Sequence, residues 1–265
     1  MRVAVVGHIE WVEFVPVARL PGPGDVIHAE DAFARAAGGG GVVAGVLAGL
    51  GAEVDFFTAL GDDGYGRSAV EQLVERGVRM HVAWRVAPTR RAFTLLEKGG
   101  ERTIVTIGAR LDPLGADELD WSRLWDVAGV YVTAGDQAAL KAARQAPVLV
   151  ASPRARTALS EAGPPIDALV FSASDRDERE WAERAASRTR LMVATEGARG
   201  GRWWGESEGS WQAAELPGDP IDSYGCGDSF AAGFTFGLAS GESVEGAAAL
   251  GARCGALCLT RAGAP

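Results

Sequence analysis

Short apolar runs separated by helical stretches constrain this chain more than any other feature. Residues 2–6, 53–59, 127–132, 148–151, 168–171 and 191–195 each read as a buried strand. Residues 42–50, 65–76, 137–145 and 176–190 read as helices between or after them. Strands that are apolar on both faces and joined through helices predict a doubly wound, mostly parallel α/β sheet. Ligands of such a sheet bind beyond the carboxyl ends of its strands. One block departs from the alternation. Residues 80–85, 91–97 and 102–107 read as strand after strand, with Lys98, Gly99, Gly100 and Glu101 as a hairpin turn. Residues 26–34 also look extended. A small β structure projecting from the main sheet is expected from these segments.

The 265 residues fit one large α/β domain. A net charge of −9 argues against nonspecific nucleic-acid binding, which needs a basic face. The longest apolar windows are broken by Gly and charge, so no membrane partner is expected, and Met1 to Gly7 lacks the cationic region of a signal peptide. The three cysteines, Cys226, Cys254 and Cys258, form no framework and suit a reducing cytoplasm. Cys254 and Cys258 share a helix face as small hydrophobes. His8, His28 and His81 are scattered and give no metal spacing. Neither a Gly-x-x-x-x-Gly-Lys-Ser/Thr loop nor a Gly-x-Gly-x-x-Gly turn is present.

The most informative stretch runs Asp222-Ser223-Tyr224-Gly225-Cys226-Gly227-Asp228-Ser229-Phe230. Its glycines let backbone amides turn toward one point, and the helix that follows adds its positive end. That combination suits an anion such as a phosphoryl group. Asp228 can accept a hydroxyl proton beside that anion, or it can simply cap the helix.

This stretch resembles the C-terminal motif of the phosphofructokinase-B, or ribokinase, family, with the pattern Asp-Thr-x-Gly-Ala-Gly-Asp-x-Phe. Ser223 stands for Thr and Cys226 for Ala. Gly38-Gly39-Gly40-Gly41, Leu50-Gly51-Ala52-Glu53-Val54 and Leu60-Gly61-Asp62-Asp63-Gly64-Tyr65-Gly66 resemble the family's N-terminal motif in order and spacing. Taken alone, the glycine run need only permit a tight turn. The resemblance covers Val3 to Pro265 and implies a single ribokinase-like domain over residues 1–265, with a lid at about 11–34 and 80–108. It implies ATP-dependent phosphoryl transfer to a hydroxyl of a small sugar-like substrate. Asp228 would be the base, and the Gly225, Cys226 and Gly227 amides the anion hole.

Further assignments rest on the same resemblance. Thr195, Gly197 and Gly200 look like the family's Thr-x-Gly-x-x-Gly loop on the ATP phosphates, although a plain turn reads equally well. Ser172-Ala173-Ser174-Asp175 occupies the place of Asn-x-x-Glu, so Asp175 would help to hold Mg²⁺ through water; a surface turn is the other reading. Ser223, and Cys254 within the Arg253–Pro265 adenine segment, complete the ATP side. Some relatives bind K⁺ where Asp222 and the Tyr224 backbone fall.

The substrate side departs from the pattern. The usual sugar-binding Asp falls at Val12, beside Glu10, and the usual Asn falls at Val43 after Gly39 and Gly40, so the resemblance makes Glu10, Gly39, Gly40 and Val43 the substrate-side candidates by position. Ribose held in the usual way is therefore disfavoured. Arg90 and Arg110 stand nearby in the pattern and point to a carboxylate or phosphate on the substrate, although either can be a solvated surface residue. Trp11, Trp84 and Phe93 are available as apolar walls. The alternatives are a nucleoside kinase of the same fold and a catalytically idle ligand-binding relative. In relatives the lid also pairs with a second subunit, so a homodimer is expected.

Overall fold

The computed structural model describes residues 1–29, 31–97, 102–159 and 163–263. Its strands are β1 (Arg2–Val6), β2 (Glu10–Val17), β3 (Phe33–Ala37), β4 (Glu53–Gly61), β5 (Val78–Arg85), β6 (Arg91–Glu97), β7 (Arg102–Ile107), β8 (Gly129–Val132), β9 (Val148–Ala151), β10 (Ile166–Ser172), β11 (Thr189–Thr195), β12 (Gly201–Gly205) and β13 (Gly209–Trp211). Its helices are α1 (Gly38–Gly49), α2 (Gly64–Glu75), α3 (Gln137–Ala143), α4 (Arg176–Ala185), α5 (Cys226–Ala239) and α6 (Val244–Leu259).

Nine strands form one sheet in the order β13-β12-β11-β10-β9-β8-β1-β4-β5. All neighbours from β11 to β5 run parallel, and β12 and β13 turn back antiparallel at the edge. The strands are apolar on both faces because both are covered. Val3 and Val5 of β1 pack with α1, α2, α5 and α6. The alternate residues Ala4 and Val6 pack with α3 and α4. After β1 the chain builds outward through β4 and β5, then returns to lay β8 on the other side of β1. That reversal opens a crevice at the carboxyl ends of β1 and β8, where a doubly wound sheet takes its ligand.

A second sheet has the order β3-β2-β6-β7. Val12, Phe14, Ala92 and Leu96 of its inner face pack against Val42 and Tyr224. This corrects one expected boundary. Residues 80–85 do not belong to the small sheet: β5 pairs with β4 in the large one, from Val54 opposite Val78 to Gly61 opposite Arg85. β5 is the parallel return after α2, and no helix follows it to reveal that role. Residues 25–29 carry no strand either, and pairing begins at Phe33. The expected turn at 98–101 lies outside the described residues.

The glycine run has a steric cause. A β-carbon on Gly40 would stand 2.6 Å from the His8 carbonyl oxygen and 2.8 Å from the Phe56 ring. Only a bare backbone lets the first turn of α1 rest on the end of β1.

Candidate active site

α5 starts immediately after Gly225, whose φ of 76° is left-handed and suits glycine. No side chain caps this helix. The amides of its first turn are therefore left for a ligand, at the positive end of the helix. Asp228 lies within that first turn, so the structure decides against its being the cap. The preceding loop is clamped by Asp222, which is 1% exposed. One Asp222 oxygen accepts the Tyr224 N–H at 2.9 Å, and the other accepts the Gly263 N–H at 2.9 Å. The Ile221 and Asp222 amides donate to the Leu259 carbonyl.

A cavity of about 770 Å³ opens before this turn. Its wall brings together the ATP-side expectations: Asp175, Thr195, Gly197, Gly200, Ser223 and the Gly225-Cys226-Gly227-Asp228 turn. Ala252, Gly255, Ala256 and Leu259 of α6 form its apolar end. Cys254 is a correction. It does not line the cavity; its sulfur faces the bare Gly233 of α5, because the i, i+4 cysteine face is the helix–helix seam.

At the other end, Asp175 caps α4 by accepting the Glu178 N–H at 3.1 Å. The turn reading and the cavity reading of Asp175 thus both hold geometrically. Glu178 also lines the cavity. It accepts the Ser172 N–H at 2.9 Å and the Arg154 Nε at 3.1 Å. Arg154 in turn places Nη1 3.9 Å from Asp228 Oδ2, and the Asp228 carboxylate raises the Arg154 guanidinium well above its ordinary value.

Asp228 separates this cavity from a second group of residues. A β-carbon built on Gly39 would meet Thr133 Oγ1 at 3.1 Å, Asp228 Oδ1 at 3.2 Å and His8 Cε1 at 3.5 Å. Gly39 and Gly40 thus bring the end of β1 up to the carboxylate. Glu10 is 8% exposed, and its Oε2 lies 3.0 Å from Arg90 Nε. Burial pushes the Glu10 carboxyl up against the opposing pull of Arg90. Burial likewise pushes His8 well below its usual value, helped by the charges of Arg110, Arg154 and Arg90, so His8 is neutral at physiological pH. Arg110 reaches the carbonyl of Arg154 at 3.2 Å and pairs with Asp112 at 2.9 Å.

Val43 is the second correction. It is 0% exposed and sits in the hydrophobic core beneath the sheet, with no polar group to offer a substrate. Val12 is buried in the small-sheet core in the same way. Trp84 lies on β5 at the outer edge of the large sheet, with Arg67 over its ring.

The sequence reading missed His8, Thr133, Arg154 and Glu178. The first three follow the carboxyl ends of β1, β8 and β9, so the rule that ligands bind there would have nominated them. Glu178 gives a weaker signal as the third residue of α4 after a capping Asp.

Comparison with known proteins agrees with this geometry. The family described as pfkB family carbohydrate kinase matches residues 1–265. An ATP-dependent ribose-1-phosphate kinase of Halopiger xanaduensis is 29% identical over 279 residues, covering 100% of this chain and 94% of its own. An acarbose 7(IV)-phosphotransferase of Actinoplanes sp. is 46% identical over 84 residues, covering 29% of this chain and 28% of its own. Among solved structures, a microbiome-derived acarbose kinase superposes with a TM-score of 0.83 at 25% identity, covering 99% of this chain and 93% of that one. Arabidopsis thaliana ribokinase with ribose and ATP superposes at 0.77 with 21% identity, over 99% and 94%, and supports the fold alone. The uncapped glycine turn before α5, the glycine run against β1 and a match along the whole length have one reading: this chain belongs to the pfkB family of carbohydrate kinases.

Proposed function

We propose that this sugar kinase uses Asp228 as its base and takes an anionic sugar, a sugar phosphate or sugar acid, as acceptor. ATP would lie along Thr195, Gly197 and Gly200, with its terminal phosphoryl group at the amides that open α5. The acceptor hydroxyl would stand between Gly39 and Asp228. Its proton passes to Asp228 as the oxygen bonds to phosphorus and ADP leaves. The Gly225–Gly227 amides stabilise the charge that develops on the moving group.

One observation carries the substrate class: Arg90 Nε stands 3.0 Å from Glu10, Arg154 Nη1 stands 3.9 Å from Asp228, and Arg110 reaches the Arg154 carbonyl at 3.2 Å. Three guanidinium groups on the acceptor side of the base favour a carboxylate or phosphate on the sugar. The polar groups that would hold a neutral pentose are replaced by the core residues Val12 and Val43. The full-length relative from Halopiger is named for a phosphorylated sugar, which agrees. The nucleoside alternative calls on Trp11 or Phe93 for stacking; of these, Trp11 leans on Tyr65 with centroids 6.4 Å apart.

Magnesium fits this arrangement. Carried in with ATP, it neutralises phosphate charge, and it needs only one or two protein carboxylates. Asp175 and Glu178 stand in that cavity wall. For potassium, both oxygens of Asp222 already accept backbone N–H groups, and we assign that carboxylate to holding the loop.

The small sheet would act as the lid that excludes water, and we infer that its outer strand pairs two copies of the chain. All six residues of β7 are exposed, including Ile104, Val105 and Ile107. An open apolar edge strand invites such pairing. The three free thiols suit the cytoplasm, and no helix among the described residues is long and apolar enough to cross a membrane.

The deciding experiment is an ATP-coupled rate measurement over neutral pentoses, sugar acids and sugar phosphates. The highest kcat/KM is expected for an anionic sugar. A neutral pentose turned over faster than every acidic or phosphorylated sugar would refute the proposal.

A further inference from the structure

The cavity beside α5 holds an imbalance of charge. Asp175, Glu178 and Asp228 bring carboxylates to its wall, and among the described residues the cations in that wall are Arg102 and Arg154. A nucleoside triphosphate would add several negative charges to this space. Arg154 is already paired with two of those carboxylates, Glu178 at 3.1 Å and Asp228 at 3.9 Å. It serves the acceptor side of the reaction. That leaves Arg102, which belongs to neither the large sheet nor the anion-binding turn.

Arg102 is the first residue of β7, on the small sheet. Its guanidinium crosses to the large domain and donates to the Ser223 hydroxyl, two residues before the glycine that opens α5. Its charge also reaches the neighbouring thiol. Cys226 is pushed up by its hydrogen bond with Cys258 and by burial, and Arg102 opposes that rise. The cation therefore stands over the loop whose amides face the cavity. A guanidinium carries five N–H donors in a planar fork, so donating to Ser223 leaves donors for phosphate oxygens.

We propose that Arg102 is an ATP-contacting residue, supplied by the small sheet, that binds the phosphates of the nucleotide at the mouth of the anion hole. This deepens the kinase reading and rests on ATP occupying the cavity. One consequence follows from topology. Nucleotide phosphates would tie β7 to the Ser223–Gly225 loop, and β7 belongs to the sheet that covers the sugar side. Binding of ATP would then hold the small sheet over the acceptor.

The test is calorimetric titration of wild type, Arg102→Ala and Arg102→Lys with ATP, ADP and AMP, with melting temperatures recorded alongside. Hydrogen bonds to charged groups predict a loss of ATP affinity of about 10- to 100-fold in Arg102→Ala. AMP affinity should change by less than about threefold, since Arg102 is assigned to the outer phosphates. Arg102→Lys should recover part of the loss, because it keeps the charge without the fork. The KM for sugar at saturating ATP should rise in Arg102→Ala, because the tie that holds the small sheet over the acceptor is then missing. Unchanged ATP affinity in a folded Arg102→Ala protein would overturn the proposal. So would an equal loss for AMP and ATP, which would mean a general disturbance of the cavity. Wild-type protein that binds no ATP at all would remove the kinase reading itself, a result distinct from either.

Discussion

Gly39→Ala isolates the geometry on which the proposed chemistry depends. Gly39 lies in α1 and is not among the glycines with positive φ, so alanine suits its backbone. Within a helix the exchange should add roughly 0.5–1 kcal/mol of stability. The new methyl, however, would stand 3.1 Å from Thr133 Oγ1 and 3.2 Å from Asp228 Oδ1. Both contacts are tight, and a neighbour must yield by a few tenths of an ångström. Thr133 is held by a 3.2 Å hydrogen bond to Ser152, so the Asp228 carboxylate should be the group that moves. A misplacement of 1 Å costs on the order of 10²-fold in rate, so a shift of about 0.4 Å predicts roughly a 5- to 10-fold loss in kcat. The assay is steady-state kinetics with the best acceptor from the sugar panel, paired with thermal melts. Gly49→Ala is the control, because a β-carbon there meets nothing within 4 Å. Gly39→Ala with full kcat and a raised melting temperature would refute the placement of the reacting hydroxyl between Gly39 and Asp228.

Three other outcomes are expected. Asp228→Asn should lower kcat by about 10²- to 10⁴-fold with little change in ATP affinity, measured by kinetics and titration; retained turnover would exclude it as the base. Val105→Lys on the exposed β7 should convert a dimer to a monomer in light scattering, and a wild-type monomer at micromolar concentration would remove the dimer proposal. The third concerns Asp55, which is 0% exposed and bound by Arg123 at 2.7 Å and His81 at 2.8 Å. Burial pushes its carboxyl up, but the hydrogen bonds from Arg123 and His81 outweigh that and hold it below its usual value. Its stabilisation is therefore complete above the unfolded carboxyl value of about 3.9 and is lost as pH falls through the folded one. Asp55→Asn should cost about 3 kcal/mol at pH 7 and flatten the acid limb of a melting-temperature profile; an unchanged melt at pH 7 would refute this.

What could be read from the sequence follows from what each residue depends on. β1 and β11 were legible because strands covered on both faces are apolar throughout. The turn at Gly225 was legible because its conformation is set by neighbours in the chain. β5 was misplaced because its partner β4 is fixed by a crossover, and its own residues are half-exposed at a sheet edge. Arg154 and Glu178 were missed because Arg154 meets Asp228 and Glu178 only through the fold, from separate parts of the chain. Val43 and Cys254 failed as site residues for the opposite reason. Their positions in the chain match a pattern, but their helix faces turn toward other helices and the sheet rather than the crevice.

The Asp222 clamp also reaches beyond the loop it holds. Gly263, tied to it at 2.9 Å, has a φ of 71°, and a β-carbon there would strike the Phe33 ring at 2.7 Å. The turn before α5, the small sheet and the end of α6 therefore share one knot. Sequence change around Gly263 should alter turnover and nucleotide retention together.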